Sequence, residues 1–216
     1  ARILDIAADA LAQLSSKVSD RTLLDVGCGT GRLFDFFAKF VGHIEALEPD
    51  NERYRQALEK GRLVEASTGV SISVINEVLG DNKKDNFYDI ILSSHVIQHL
   101  GQAQVVELFK TMARKLKPGG LLLLMTTYAD DSQEKFYCES WDSESRKSRQ
   151  ISFEEFENIF RDGGGLPVRM FSKESVVKMA AAVKLKLTEF HPFHGKSIEN
   201  GEEYQPRDAF YIFVKE

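Results

Sequence analysis

The sequence lacks several features that would place a protein in a membrane or in an oxidising compartment. Its 216 residues include two cysteines, Cys28 and Cys138, which are too few for the disulfide framework of a small secreted domain. No apolar run approaches the ~18 residues of a membrane-spanning helix. No basic segment followed by an apolar one forms a leader. We therefore expect a protein of the reducing cytoplasm with no membrane partner.

Positive charge is also scarce. Lys and Arg total 28 against 33 Asp and Glu, which gives a net charge of −5. A protein that binds nucleic acid needs a dense basic face, so we expect no nucleic-acid partner. Apolar residues make up 43% of the chain, which is typical of a folded globular protein and argues against disorder.

Short apolar strands alternate with amphipathic helices along the first 127 residues. The apolar runs predict strands at 22–26, 43–48, 70–75, 88–93 and 121–127. The helical spacing of apolar residues predicts helices over 2–17, around 33–40, from Pro49 to Gly61, and over 105–116. This alternation predicts an α/β fold, a Rossmann-like doubly wound sheet with right-handed crossovers.

The alternation ends after residue 127. We interpret residues 128–171 as an insertion after strand five that closes over a substrate. Within it, the capping-box spacing of Ser152 and Glu155 predicts a helix over 153–161.

The last part of the chain completes the sheet. Residues 172–216 form a closing helix and two strands, at 185–193 and 209–214, that pair antiparallel. The predicted architecture is one domain over 1–216, with a mostly parallel sheet of about seven strands and the cofactor-binding half over 20–127.

A glycine loop follows the first strand and is the central feature. In Gly27-Cys28-Gly29-Thr30-Gly31 the glycines allow a sharp turn and a close approach to a ligand. Glu48 lies 17 residues beyond Gly31, at the end of the second strand, where a carboxylate can accept both ribose hydroxyls of an adenosine.

Two residues beside the loop indicate which adenosine-containing ligand it could bind. Arg32 occupies the position where the dinucleotide fingerprint has Gly or Ala, which disfavours an NAD-dependent oxidoreductase. The Gly-Lys-Ser/Thr of a phosphate-binding loop does not follow these glycines. Asp25, before the first glycine, would repel a pyrophosphate but could pair with an ammonium group.

These residues resemble the class I S-adenosylmethionine-dependent methyltransferases. The family's first motif, an acid followed by G-x-G-x-G, matches Asp25 and the glycine loop, and its second, an acid ending strand two, matches Glu48. Further matches are 87–91 leading into 95–100, and 116–120 before strand five. The resemblance implies S-adenosyl-L-methionine as methyl donor, S-adenosyl-L-homocysteine as product, and methyl transfer by in-line displacement.

The resemblance also implies roles for individual residues. Asp25 would hold the cofactor's ammonium, and Glu48 would hold the ribose. Arg53 could stack on the adenine or be a solvated residue of a helix face. Glu77 is favoured slightly as the residue that contacts the adenine amino group, with Asn76 and Asp81 as alternatives. The predicted cofactor-binding residues are Asp25, Gly27, Cys28, Gly29, Gly31, Glu48, Pro49, Arg53, Glu77, Val78, Ser93 and Ser94.

Histidines are the main candidates for a catalytic or metal-binding role. His95, just past strand four, is the candidate general base, and the alternative is a histidine that shapes the pocket or caps the next helix. Candidate substrate contacts are His99, Tyr128, Trp141 and His194. We predict no metal site, because His191 and His194, three residues apart on a strand, point to opposite faces.

Absent motifs narrow the acceptor. Family members that methylate the amino groups of nucleic-acid bases carry Asp/Asn/Ser-Pro-Pro-aromatic after strand four, where this chain has Ser93-Ser94-His95-Val96. A Pro-Cys nucleophile for pyrimidine carbon is missing too. We therefore expect O- or N-methylation of a small molecule. The alternatives are a protein or peptide acceptor and a catalytically silent partner module.

Overall fold

The fold is built on one large sheet with helices on both faces. The computed structural model describes residues 2–80, 84–130, 133–141, 146–162, 165–194, 197–199, 202–204 and 207–216. Numbered along the chain, the strands are β1 Thr22–Val26, β2 His43–Leu47, β3 Ser71–Ile75, β4 Tyr88–Ser94, β5 Leu116–Thr127, β6 Lys135–Trp141, β7 Arg146–Ile151, β8 Leu166–Met170, β9 Leu185–His194, β10 Ser197–Glu199, β11 Glu202–Tyr204 and β12 Arg207–Lys215. The helices are α1 Arg2–Ala12, α2 Phe34–Phe37, α3 Asn51–Thr68, α4 Gln102–Lys115, α5 Phe153–Asp162 and α6 Lys173–Ala181.

The large sheet has seven strands in the order β3-β2-β1-β4-β5-β12-β9. The first five are parallel to one another, and β12 runs antiparallel to both β5 and β9. The predicted Rossmann-like sheet with an antiparallel closing strand is confirmed. In this register Val26 lies beside Leu47 and Ser93, so the residues that follow β1, β2 and β4 meet at one edge.

Apolar clusters bury both faces of this sheet. On one face α1, α2 and α3 cover a cluster that includes Phe34 and Ile90. On the other, α4 and α6 cover a cluster that includes Phe109 and Ile91. The near-continuous apolar strands of the sequence reflect this two-sided burial. No helix in the described part of the chain is both long and apolar enough to cross a bilayer.

Helix α3 does not end at Gly61 as predicted. It continues to Thr68 and is capped by Gly69 in the left-handed region, with φ of 75°. Gly61 is buried inside the helix, where an added Cβ would lie 3.1 Å from Ile72 Cγ2. The glycine therefore lets the helix pass close over β3, and its role is packing rather than termination.

Helix α1 ends earlier than predicted, at Ala12 rather than residue 17. The buried Arg21 guanidinium donates to the carbonyl oxygens of Leu11, Leu14 and Ser16 at 3.0, 2.8 and 2.7 Å. These bonds hold the last turn of the helix and the segment after it, and the Leu11 carbonyl also accepts the Leu14 N–H at 3.3 Å. A side chain from beyond the predicted helix thus fixes where the helix stops.

Strand β5 is longer than predicted, because pairing begins at Leu116 beside Tyr88 and resumes after an irregularity at Leu121 beside Ile90. The insertion departs further from the predicted secondary structure than β5 does. Besides the predicted helix, confirmed as α5, it contains an antiparallel sheet in the order β7-β6-β8 that the sequence pattern did not predict. β7 is almost wholly polar and β6 mixed, so neither shows a clear strand pattern.

A buried arginine fastens the insertion to the rest of the molecule. Arg169 donates to Glu134 Oε2 at 2.9 Å from Nε, and to Gln102 Oε1 at 2.6 Å. Its guanidinium also lies 4.4 Å from the centre of the Phe171 ring. A second bond runs from α4 to the insertion, because the Gln102 N–H donates to Glu157 Oε1 at 2.8 Å. The start of α4 is therefore joined to the insertion from two sides.

We expect Arg169→Met to lower the free energy of unfolding by about 3 kcal/mol, because it leaves the Glu134 carboxylate without its cation. Urea denaturation with an unchanged slope measures this. The control is Arg149→Met, which breaks the exposed pair with Glu155 and is expected to change stability by less than about 1 kcal/mol. Equal effects for the two variants would contradict the fastening role of Arg169.

Candidate cofactor site

The glycine loop turns back against the end of β2. The N–H groups of Gly27 and Cys28 donate to the Leu47 carbonyl at 2.8 and 3.0 Å. Gly27 has φ of 73°, and a Cβ there would lie 2.6 Å from Val96 Cγ2, so only glycine fits. The loop therefore bends sharply where β1 ends and leaves an open space above it.

Glu48 joins the end of β2 to this loop. Its Oε2 accepts the Gly29 N–H at 2.8 Å and its Oε1 accepts the Asp50 N–H at 3.0 Å. The side chain is 5% exposed. Asp50 in turn caps α3 by accepting the N–H groups of Glu52 and Arg53 at 3.1 and 2.9 Å. One carboxylate thus couples the loop to the start of the next helix.

Asp25 lies buried beneath the loop. The pKa of its carboxyl is raised to about 7, chiefly by burial and then by the nearby Glu48 charge, with Arg32 acting in the opposite direction. A carboxylate in this state binds a cation favourably, because a positive neighbour stabilises its charged form. It disfavours an anionic ligand such as a pyrophosphate.

A cleft of about 270 Å³ lies beside the glycine loop and Asp25, whereas Glu48 is not among the residues that line it. Seven predicted site residues line it, namely Asp25, Gly27, Cys28, Gly29, Arg53, Ser94 and His95. Thr30, Arg32 and Leu33 line it as well and received no role from the sequence. The sequence pattern marks Arg32 solely as a departure from the dinucleotide fingerprint.

The residues that end β4 carry hydroxyls without partners. Ser93 Oγ and Ser94 Oγ are buried and have no hydrogen-bond partner among the described residues. Ser94 borders the cleft, whereas Ser93 does not. Buried hydroxyls normally find a partner, so an unsatisfied one at the wall of a cleft is consistent with a ligand there.

The adenine contacts stay a prediction. Asn76 Nδ2 donates to the main-chain oxygens of Glu48 and Pro49 at 2.8 and 3.1 Å, so this amide ties β3 to β2. Val78 is 68% exposed, and the Glu77 N–H is held by Ile75 O at 3.0 Å. The third candidate, at position 81, lies outside the described residues.

His95 is held tightly where β4 ends. It adopts φ of 58°, and its N–H donates to Met125 O at 2.8 Å. Gln98 Nε2 lies 3.1 Å from His95 Nδ1, and Gln98 Oε1 accepts from Thr126 Oγ1 at 3.1 Å. Since an amide nitrogen only donates, Nδ1 accepts here and the neutral ring carries its proton on Nε2.

Burial lowers the pKa of His95 below its ordinary value of 6.5, and Arg32 and His99 lower it further. The charge of Asp208 acts in the opposite direction, as does the Gln98 hydrogen bond. The imidazole is therefore neutral at physiological pH.

The four candidate substrate residues are placed differently. His99 Nδ1 lies 2.9 Å from Pro167 O, so this ring contacts the insertion, and Tyr128 packs edge-on against Phe190 with centroids 5.5 Å apart. Trp141 and His194 belong to β6 and β9, but their side chains lie outside the described part of the structure. Among described residues no three His, Cys, Asp or Glu side chains form a metal-binding group.

A second cavity of about 240 Å³ lies beside the cleft, beneath α1. It is almost wholly apolar, and its lining comes from α1, the segment around α2 and the ends of β4, β5 and β12. The lining residues are Ile3, Leu4, Ala7, Arg32, Leu33, Phe37, Leu92, Ser94, Met125 and Phe210. Sequence reasoning missed this cavity, since its walls come from five separate segments.

Comparison with known proteins gives the family. A methyltransferase domain model matches residues 2–189. The chain therefore belongs to this family of methyltransferases, which confirms the resemblance seen in the sequence. The fold supports this: a methyltransferase of Bacillus halodurans aligns with a TM-score of 0.66 at 18% identity, covering 96% of this chain and 97% of that one.

Other relatives carry more specific names. A ubiquinone biosynthesis O-methyltransferase of a Shewanella species is 27% identical over 116 residues, 53% of this chain and 47% of that protein. The chain spans about half the length of the curated relatives it matches. The 1,6-didemethyltoxoflavin-N1-methyltransferase of Burkholderia thailandensis, solved with S-adenosylhomocysteine, aligns with a TM-score of 0.66 at 11% identity, covering 100% of this chain and 77% of that one.

The raised pKa of Asp25 predicts a stability effect. Because the folded pKa of about 7 lies above the ordinary 3.8, the ligand-free protein loses stability as the pH rises between these values. Asp25→Asn removes this loss, so we expect its melting temperature at pH 8 to exceed that of the wild type by at least ~2–4 °C. Asp9→Asn, an exposed change in α1, is the control. A gain that is equally large at pH 4 would contradict the proposed cause.

Proposed function

We propose that this chain binds S-adenosylmethionine in the cleft and transfers its methyl group to an oxygen or nitrogen of a small molecule. The observation that carries the proposal is Glu48, buried and bonded to the Gly29 N–H at 2.8 Å, beside the buried Asp25. Membership of the methyltransferase family supports it, as does the S-adenosylhomocysteine bound to the Burkholderia relative.

The charges of the cleft suit this cofactor. Asp25 is placed to pair with an ammonium group, which would favour its charged form. The Glu48 carboxylate offers about four lone-pair positions, and main-chain N–H groups occupy two of them. The remaining positions can accept the two ribose hydroxyls. The unsatisfied Ser94 hydroxyl offers a further contact.

When bound, the cofactor would supply a sulfonium methyl group, whose carbon an acceptor nucleophile attacks in line while the thioether sulfur leaves. The protein's own task is to orient the acceptor and to accept its proton where the acceptor has one to lose. His95 borders the cleft and is neutral, so it is our candidate base. The Nε2 atom of His95 becomes an acceptor in the other neutral tautomer, which carries the proton on Nδ1. This tautomer is favoured when the Gln98 amide turns so that its oxygen accepts a hydrogen bond from Nδ1–H, and the Thr126 hydroxyl can then accept from the Gln98 amide nitrogen.

A small acceptor is favoured over a protein or peptide because the adjoining cavity is about 240 Å³ in volume. The names of two similar proteins also refer to small molecules, one to ubiquinone biosynthesis and the other to 1,6-didemethyltoxoflavin. The insertion remains our candidate for a cover over this region, with His99, Tyr128, Trp141 and His194 as possible acceptor contacts.

Calorimetric titration with S-adenosylmethionine and S-adenosylhomocysteine tests the proposal directly. Binding of both, with no binding of NADH, supports it. Absence of heat and of thermal stabilisation with either sulfur compound would overturn it, and binding without transfer to any molecule of a broad acceptor panel would favour a silent partner module.

Glu48→Ala should weaken binding of S-adenosylhomocysteine by about 1–3 kcal/mol, since it removes a charged hydrogen-bond acceptor. The matched control is Glu52→Ala, an exposed glutamate one turn further along the chain. Calorimetry measures both. Wild-type affinity in Glu48→Ala would show that the ribose lies elsewhere.

The base role of His95 predicts a pH profile. A pKa lowered from 6.5 places the acidic limb of turnover below pH 6.5, because turnover falls as the ring becomes protonated. His95→Ala should lower kcat by about 10²–10⁴-fold and abolish that limb, while the affinity for S-adenosylhomocysteine stays unchanged. Steady-state kinetics at saturating cofactor separate this limb from any titration of Asp25. An unchanged kcat would mean that His95 is no base.

A further inference from the structure

The apolar cavity shares a wall with the cofactor cleft. Arg32, Leu33 and Ser94 border both spaces, so a ligand in one lies next to a ligand in the other. Its volume is about 240 Å³. An apolar protein cavity of ~150 Å³ holds one benzene molecule. The space therefore suits a single substituted ring better than a polycyclic molecule or a peptide.

The side chains around the cavity favour an aromatic ring. Two phenylalanines line it, Phe37 from α2 and Phe210 from β12. Met125 adds a thioether, which makes favourable contacts with ring edges. Aromatic rings pack against such groups with a gain beyond the area that they bury.

The polar groups of the cavity are confined to the shared wall. Arg32 is the one charged residue among the ten described residues that line the cavity, and arginine stays cationic at any physiological pH. Ser94 contributes a buried Oγ that has no hydrogen-bond partner in the described part of the chain. A ring held among the apolar groups would therefore direct its polar substituent towards the cleft.

Resting on the proposed function, we propose that the acceptor is a small monocyclic phenol, with its ring in the apolar cavity and its hydroxyl oxygen on the wall formed by Arg32 and Ser94. The cation favours ionisation of that oxygen, since a phenol with an ordinary pKa of ~10 becomes more acidic beside a positive charge. An ammonium at the same position would be repelled by the guanidinium.

The reaction needs no further reagent. The phenolic O–H bond breaks and its proton leaves to His95, while an oxygen lone pair forms the new bond to the methyl carbon. The carbon–sulfur bond breaks with its electron pair on sulfur. The products are an aryl methyl ether, S-adenosylhomocysteine and a protonated histidine, which returns its proton to water.

Two probes of equal heavy-atom count test the inference, p-cresol and benzylamine. Each is titrated onto the full chain by ligand-observed NMR, with and without S-adenosylhomocysteine. We expect p-cresol to bind at least about tenfold more tightly than benzylamine. In Arg32→Gln the preference should fall to about twofold or less, whereas Lys39→Gln, an exposed change just after α2, keeps it.

The cavity itself is tested from α1. Ala7→Phe fills it and should abolish p-cresol binding while S-adenosylhomocysteine still binds, and Ala12→Phe, exposed on the same helix, should change neither. If Ala7→Phe fails to fold, the exposed Arg32→Gln change still decides the charge preference.

Three results would overturn the inference: benzylamine binding as tightly as p-cresol, a preference that survives in Arg32→Gln, or p-cresol binding retained in Ala7→Phe. The wild-type titration with S-adenosylhomocysteine alone distinguishes failure of the proposed cofactor site from failure of the proposed phenol site. If S-adenosylhomocysteine does not bind, the proposed function is overturned. The titration of p-cresol without cofactor still measures whether the apolar cavity binds a phenol.

Discussion

The hydrogen bond from the Gly29 N–H to the Glu48 carboxylate is the interaction on which the site depends. It joins the loop after β1 to the end of β2 at 2.8 Å, with the carboxylate largely withdrawn from water. The register of Val26 beside Leu47 brings the two segments together, and the carboxylate then fixes the loop against the start of α3. The shape of the cleft follows from the parallel sheet, because neighbouring strand ends lie at one edge.

The same arrangement gives the cleft its electrostatic character. Asp25 and Glu48 are both buried, and Glu48 helps burial to raise the pKa of Asp25 to about 7. Two acids so close together destabilise the ligand-free state, and a cationic ligand relieves that repulsion. Arg32 stands on the other side, where the cleft meets the apolar cavity. The site is therefore polarised, negative beneath the loop and positive towards the second cavity.

The elements outside the central strands give this chain its second cavity and its attached insertion. α1 and the start of β12 close the apolar cavity, and the insertion is held on α4 by Arg169 and Glu157. Both attachments use side chains far apart in sequence, with Arg169 lying 67 residues from Gln102. Such pairs are fixed by packing rather than by local preference, so relatives that share the sheet can differ here.

The sequence by itself determined the alternating strands and helices, the glycine loop, the acid at the end of β2 and, through these, the family. Each is a local pattern whose spacing follows from backbone geometry. Only the tertiary structure decided that Gly61 is a packing residue, that Arg21 ends α1, and that Arg32 borders two cavities. These roles depend on neighbours brought together by folding, and the spacing of residues along the chain carries no record of which side chains meet across the sheet.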